Sequence, residues 1–145
     1  MKKVNLLVVS IIAFILISCN GNSQTIESNI SSTKNMIEVI DFHSTHRCMT
    51  CNAIEANTKH ALDKFFADEL KSGTITFQSV NVDEKANSQM AEKYQATGTS
   101  LFLNVIVDGS STIINLTELA FAKGRKKEAF SKRLKIKIDE QLIKL

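Results

Sequence analysis

Asp41-Phe42-His43-Ser44-Thr45-His46-Arg47-Cys48-Met49-Thr50-Cys51 is the stretch on which the reading of this chain turns. An apolar, β-branched run from Met36 to Phe42 leads into it, and a helical pattern begins at the second cysteine. Strand, turn and helix therefore follow without a break. A thiol in the first turn of a helix meets unpaired backbone N–H groups and the positive end of the helix dipole, and both favour thiolate over thiol. Arg47 adds a full positive charge beside it. Cys48 is thus the candidate nucleophile, and Cys51, one turn further in, is placed to attack a mixed disulfide formed on Cys48.

The surrounding chain limits what this pair can serve. With 145 residues, 43% of them apolar, the sequence suits one globular domain with an ordinary core. The formal charge of +3 includes Lys2 and Lys3 of a segment expected to be removed, so the mature chain is near neutral and charge gives no argument for nucleic-acid binding. The basic residues from Lys123 to Lys137 are interleaved with an apolar stripe and read as a solvated helix face. Three cysteines is an odd number, and the N-terminus accounts for one. A charged start is followed by an apolar run, Val4 to Ile17, that is short for a bilayer span and reads as an export signal.

That run ends in Leu16-Ile17-Ser18-Cys19, which resembles the lipobox of bacterial lipoproteins. The resemblance implies a signal peptide over residues 1–18, acylation of Cys19 as the mature N-terminus, and Cys48 and Cys51 as the remaining free thiols. The alternative is a membrane anchor that keeps the whole run, with Cys19 idle. Residues 19–35 are too polar to bury and read as a flexible tether. The domain, residues 36–145, is expected outside the cytoplasm, in the periplasmic part of a bacterial envelope; the choice of membrane stays open. An unmanaged thiol pair oxidises in such a compartment.

Along the domain, a strand over Met36–Phe42 is followed by a helix with Ile54, Ala61, Leu62, Phe65, Phe66 and Leu70 on one face, stopped by Ser72-Gly73. Thr74 to Val82 reads as a strand. Asp83 is a candidate cap for a second helix bearing Ala86, Met90 and Tyr94. Leu101 to Val107 is the strongest strand signal, and Asp108-Gly109 predicts a hairpin into Thr112 to Leu116. Phe130, Leu134, Ile138, Leu142 and Leu145 mark a C-terminal helix. The order β-α-β-α-β-β-α predicts an α/β fold with a mixed central sheet flanked by helices.

That order, with the cysteines at the first strand-helix junction, resembles the thioredoxin superfamily over Met36 to Leu145. Within it, His46-Arg47-Cys48-Met49-Thr50-Cys51-Asn52-Ala53-Ile54-Glu55 is similar to a group of small bacterial thioredoxin-like lipoproteins that includes those called ArsF, associated with arsenic resistance or nitroreductases. The resemblance implies a thioredoxin-like fold and a redox-active Cys48–Cys51 disulfide, with no other cofactor. It also implies that Gly98-Thr99-Ser100-Leu101 occupies the place of the family's cis-proline loop, which makes Thr99 and Ser100 candidate substrate-loop residues. Two departures stand out. The chain has no proline, so a trans or rearranged loop is expected at Ser100. Asp41 lies near the family's buried acid, but the loop to Cys48 is one residue longer and the second strand ends without the family's lysine; the plain alternative for Asp41 is a strand end facing solvent.

Met49-Thr50 replaces the Gly-Pro between thioredoxin cysteines, so the redox direction stays open among reductant, oxidant and isomerase. The main reading is a membrane-tethered thiol–disulfide oxidoreductase. Its partners would be an exported thiol or disulfide protein and a membrane redox partner, with no nucleic acid and a monomeric state expected. The competing class is a dithiol clamp for copper or arsenite through Cys48, Cys51 and His46, without turnover. A structural adaptor with a permanent Cys48–Cys51 bond is the third.

Overall fold

The computed structural model describes residues 34–145, so the expected signal peptide, Cys19 and nearly all of the expected tether lie outside the described residues. Strand β1 (Met36–His43) runs to the Cys-x-x-Cys turn. It is followed by α1 (Met49–Phe65), α2 (Ala67–Ser72), β2 (Ile75–Asn81), a 3-10 turn over Lys85–Asn87, α3 (Ser88–Tyr94), β3 (Ser100–Val107), β4 (Ser110–Asn115), α4 (Thr117–Lys123) and α5 (Lys127–Leu142). The four strands form one sheet in the order β2-β1-β3-β4. β1 pairs parallel with β2 and antiparallel with β3, and β3 pairs antiparallel with β4. This is the expected mixed sheet: α1 carries the chain between parallel neighbours, and a tight turn makes the antiparallel pair. Asp108 and Gly109 both have positive φ, 48° and 79°, as a two-residue type I′ hairpin requires.

Alternation along β1 divides its side chains between two cores. Ile37 and Val39 join Leu101, Leu103 and Val105 of β3 under Ile54, Ala61 and Leu62 of α1 and Phe130, Leu134 and Ile138 of α5. Ile40 and Phe42 join Phe102, Val80, Tyr94 and Ala96 in a second core. There the rings of Phe42, Tyr94 and Phe102 lie with centroids 5.3–5.8 Å apart in tilted or edge-on contact. Asp41 shares the β1 face of Ile37 and Val39, which puts it in the layer between the sheet and α1.

Three local expectations are corrected. The first helix does not run to Leu70. At Phe66 the backbone leaves helical geometry (φ −137°) and the side chain is buried in the core under α1, so tertiary burial interrupts a helical pattern that resumes as α2. Asp83 caps no helix, because its carboxylate is taken by the backbone N–H of Thr45 at 2.7 Å; α3 starts only at Ser88. The segment after the hairpin is also reassigned. β4 ends at Asn115, and Thr117–Lys123 forms a helix between it and α5. Thr117 anchors that helix at the site end of β3, its hydroxyl accepting the Leu101 N–H at 3.2 Å.

Gly124, at the end of α4, lies against the middle of α1. A Cβ there would collide with the Ala120 carbonyl and with Ile54 Cγ1, and Gly124 O accepts from Asn57 Nδ2 at 2.7 Å. A Cβ at Gly98 would meet nothing closer than Ser44 Oγ, at 3.6 Å. Gly124→Ala is therefore expected to destabilise the domain by about 1–3 kcal/mol, the usual cost of overpacking, and Gly98→Ala by much less. Urea denaturation midpoints of the two variants check this.

Candidate functional site

Cys48 is the N-cap residue of α1, with extended backbone geometry (φ −76°, ψ 165°). Its Sγ accepts the backbone N–H of Cys51 at 3.2 Å, taking the place that a serine or aspartate oxygen fills in ordinary caps. One of the otherwise unpaired donors of the helix start is thus aimed at this sulfur. Cys48 and Cys51 are joined as a disulfide, their Cα atoms 5.1 Å apart. The two ends of that bond differ in access. Cys48 is exposed, whereas Cys51 is 9% exposed, on the helix face that carries Ile54 into the core. An outside thiol or disulfide can reach the first sulfur far more readily than the second. Met49, 75% exposed, offers an apolar contact beside the first.

The loop before Cys48 is held at two points. Asn81 Nδ2 donates to Thr45 Oγ1 at 3.1 Å, next to the Thr45–Asp83 bond, so the end of β2 grips one side. The bond from Thr45 also holds the Asp83 carboxyl below its ordinary pKa. Arg47 makes the second attachment. Its guanidinium reaches Asp41 Oδ2 at 3.3 Å through one nitrogen and pairs with Glu55 of α1 through the other, and Lys59 pairs with the second Glu55 oxygen at 2.5 Å. Asp41 is fully buried, with Oδ1 unpartnered among the described residues, as is the Arg47 Nε. Burial raises the Asp41 pKa to about 7, against the pull of Arg47. For Glu55, burial works upward too, but hydrogen bonds from Lys59 and Arg47 outweigh it and hold the carboxyl below its ordinary value.

The sequence-predicted residues are thus only partly brought together. Cys48, Cys51 and Arg47 share the start of α1, but the Arg47 head group is engaged by two carboxylates. Asp41 is not a strand end facing solvent; it is fully buried, because β1 alternation aims it under α1. Glu55 and Lys59 went unnoticed in the sequence. Their i,i+4 spacing is a visible signal for a helix pair, but the link from Glu55 to Arg47 spans eight residues and a turn. Ser100 opens β3 opposite Phe42, is buried, and its hydroxyl donates to Gly98 O at 3.1 Å. No peptide bond is cis among the described residues, so Ser100 follows a trans bond. The nearest atom to a Cβ on Gly98 is Ser44 Oγ, which places the 98–100 loop against the loop before Cys48. A cleft of about 240 Å³, lined by Thr97, Gly98, Thr99, Ser100, Phe102 and Asn115 among others, opens beside it without touching either cysteine.

Metal-ligating groups do not converge. No set of three or more His, Cys, Asp or Glu side chains suited to a metal occurs among the described residues. His43 Nδ1 lies 3.0 Å from the Ser44 carbonyl, and His46 is exposed.

The site is a disulfide at the start of the first long helix of a mixed α/β domain, with one sulfur open and the other covered. No family model matches the chain, and no curated protein matches it. Among solved structures it is similar to a thioredoxin from Thermus thermophilus, at 20% identity over 69% of this chain and 72% of that one, with a TM-score of 0.46. It is also similar to Fasciola hepatica thioredoxin (21% identity, 68% of this chain and 86% of that one, TM-score 0.42). Oxidised mitochondrial thioredoxin 3 from Saccharomyces cerevisiae is another (24%, 64% and 79%, TM-score 0.41). With every TM-score below 0.5, the α/β thioredoxin-like fold stands on the chain's own strand order, helix placement and disulfide.

The buried acid makes stability depend on pH. The Asp41 pKa is higher folded than unfolded, so the folded chain binds the extra proton between about pH 4 and pH 7. The associated stability is complete below the unfolded value and is lost as pH rises through about 7. The difference corresponds to a loss on the order of 4 kcal/mol. Wild type is expected to lose urea resistance from pH 5 to pH 8, and Asp41→Asn to remove most of that slope.

Proposed function

We propose that this domain is a thiol–disulfide oxidoreductase that works through Cys48 and Cys51. The observation that carries the reading is the unequal exposure of two bonded sulfurs at one helix start, with Cys48 Sγ accepting a backbone N–H. In the reducing direction, Cys48 thiolate attacks a substrate disulfide and expels one substrate thiolate. Asp41 takes the Cys51 proton, and Cys51 then attacks Cys48 Sγ, closing the Cys48–Cys51 disulfide and releasing the second substrate thiolate. Two cysteines are oxidised and one substrate disulfide is reduced; the reverse sequence oxidises a substrate dithiol. A donor or acceptor of two electrons must reset the pair, and a membrane redox partner fits that role.

The N-terminal sequence supports a location for this chemistry. Cleavage before Cys19 and acylation there would tether the domain outside the cytoplasm of a bacterial envelope, where exported proteins with cysteines are the substrate class. A thiol system that handles arsenite is the narrower substrate suggested by the ArsF-like motif.

Cys51→Ser is expected to accumulate mixed disulfides between Cys48 and other proteins, seen as reducible adducts on non-reducing gels, and Cys48→Ser to give none. If Cys51→Ser traps nothing while the wild-type thiols resist oxidation until a chelator strips copper or arsenite from them, the dithiol clamp replaces this reading. Palmitate labelling tests the tether: wild type should incorporate label, and Cys19→Ala should not.

A further inference from the structure

Arg47 sits next to the exposed sulfur in sequence, yet its guanidinium is committed elsewhere. One nitrogen reaches the fully buried Asp41 at 3.3 Å, another pairs with Glu55, and Nε is buried without a partner among the described residues. These ion pairs join three parts of the site: β1 near its end, the turn before Cys48, and the helix that carries Cys51. Across the sheet, the neighbours of Asp41 are Ser79 on β2 and Leu101 on β3, neither charged. The charged groups acting on its carboxyl are Arg47 from the turn and Glu55 and Lys59 from α1, with Arg47 the strongest of the three.

From this geometry we infer that Arg47 is a positioning residue that acts on Cys51 through Asp41: it holds the buried carboxylate in place as an anion able to take the Cys51 proton, and does not activate Cys48. The inference rests on the oxidoreductase reading. Its physical basis is that an unpaired carboxylate in an apolar layer takes up a proton instead of staying charged. Burial already brings Asp41 to about 7, with Arg47 pulling it back down. Without that cation the carboxyl is protonated at neutral pH and cannot accept from Cys51. Glu55 shares the guanidinium with Asp41 and pushes the Asp41 pKa up, while Lys59 pairs with Glu55 and pulls it down, so the four groups form one linked set in which Arg47 is the main opponent of burial.

The two sulfurs can be timed separately. When the reduced full-length protein, in detergent, meets dithiobis(nitrobenzoate), Cys48 attack releases one coloured thiolate. Cys51 attack on the resulting mixed disulfide releases the second, so the two phases report the two steps. Arg47→Gln is expected to slow the second phase at pH 7 by about tenfold, the factor for one pH unit of proton affinity, and to move the midpoint of its pH profile upward. The first phase should stay within about twofold, since helix capping and not Arg47 sets it. Arg47→Lys should restore much of the second phase, and in an Asp41→Asn background Arg47→Gln should add nothing.

A first phase slowed by Arg47→Gln with the second unchanged would mean that Arg47 serves Cys48 and would overturn the inference. Additive losses in the Asp41→Asn background would overturn it as well. Should Arg47→Gln fail to fold, judged by circular dichroism, Arg47→Lys and Asp41→Asn alone decide: Arg47→Lys must keep the wild-type midpoint, and Asp41→Asn must slow the second phase selectively. Failure of the oxidoreductase reading looks different, because wild type itself would then show no two-step release.

Discussion

A carboxylate enclosed in an apolar layer is the constraint around which this domain is arranged. Alternation along β1 places Asp41 beneath α1, on the same strand face as Ile37 and Val39, which fill the main core. Burial there favours the neutral acid, and the main opposition to it is a cation, Arg47, drawn in from the adjoining turn. Its ion pairs with Asp41 and with Glu55 tie the turn before Cys48 to β1 and to α1. The Thr45–Asp83 and Asn81–Thr45 bonds secure its other side from β2.

The electrostatics of the site are accordingly split between its two sulfurs. Backbone dipoles act on Cys48, which faces solvent and accepts the N–H of Cys51. Side-chain charges gather around the buried acid, Asp41. Arg47, the sequence neighbour of Cys48, has its guanidinium paired with Asp41 and Glu55.

Much of this was legible in the sequence, and what was not has physical reasons. The strands, the hairpin and the Cys-x-x-Cys junction follow local rules: alternation, a turn dipeptide that accepts positive φ at both positions, and a period of 3.6 after the second cysteine. The errors came where tertiary contacts compete with local preference. Phe66 leaves the helix because its ring is buried in the core. Asp83 stands where a cap belongs but is claimed by a backbone N–H 38 residues away in sequence. The helix over Thr117–Lys123 is short, and Leu116, which precedes it, is apolar enough to read as the end of a strand. At the site, the cysteines were plain from spacing, whereas the partnership of Asp41, Arg47 and Glu55 needs the strand, turn and helix to be folded before the three residues meet.

The hold on the turn before Cys48 bears on how chains of this kind are compared. Of the side chains that fix it, Asp41 and Asn81 come from the last residues of β1 and β2, Asp83 from the turn just after β2, and Glu55 lies a helical turn beyond Cys51. None of the four falls between the cysteines. Two proteins with the same Arg-Cys-Met-Thr-Cys stretch can therefore belong to different functional kinds if these positions diverge, and two with unlike dipeptides can be functional equivalents if the positions agree. Sorting sequences by the residues between the cysteines groups them by the visible half of the site, and positions 41, 55, 81 and 83 supply the other half.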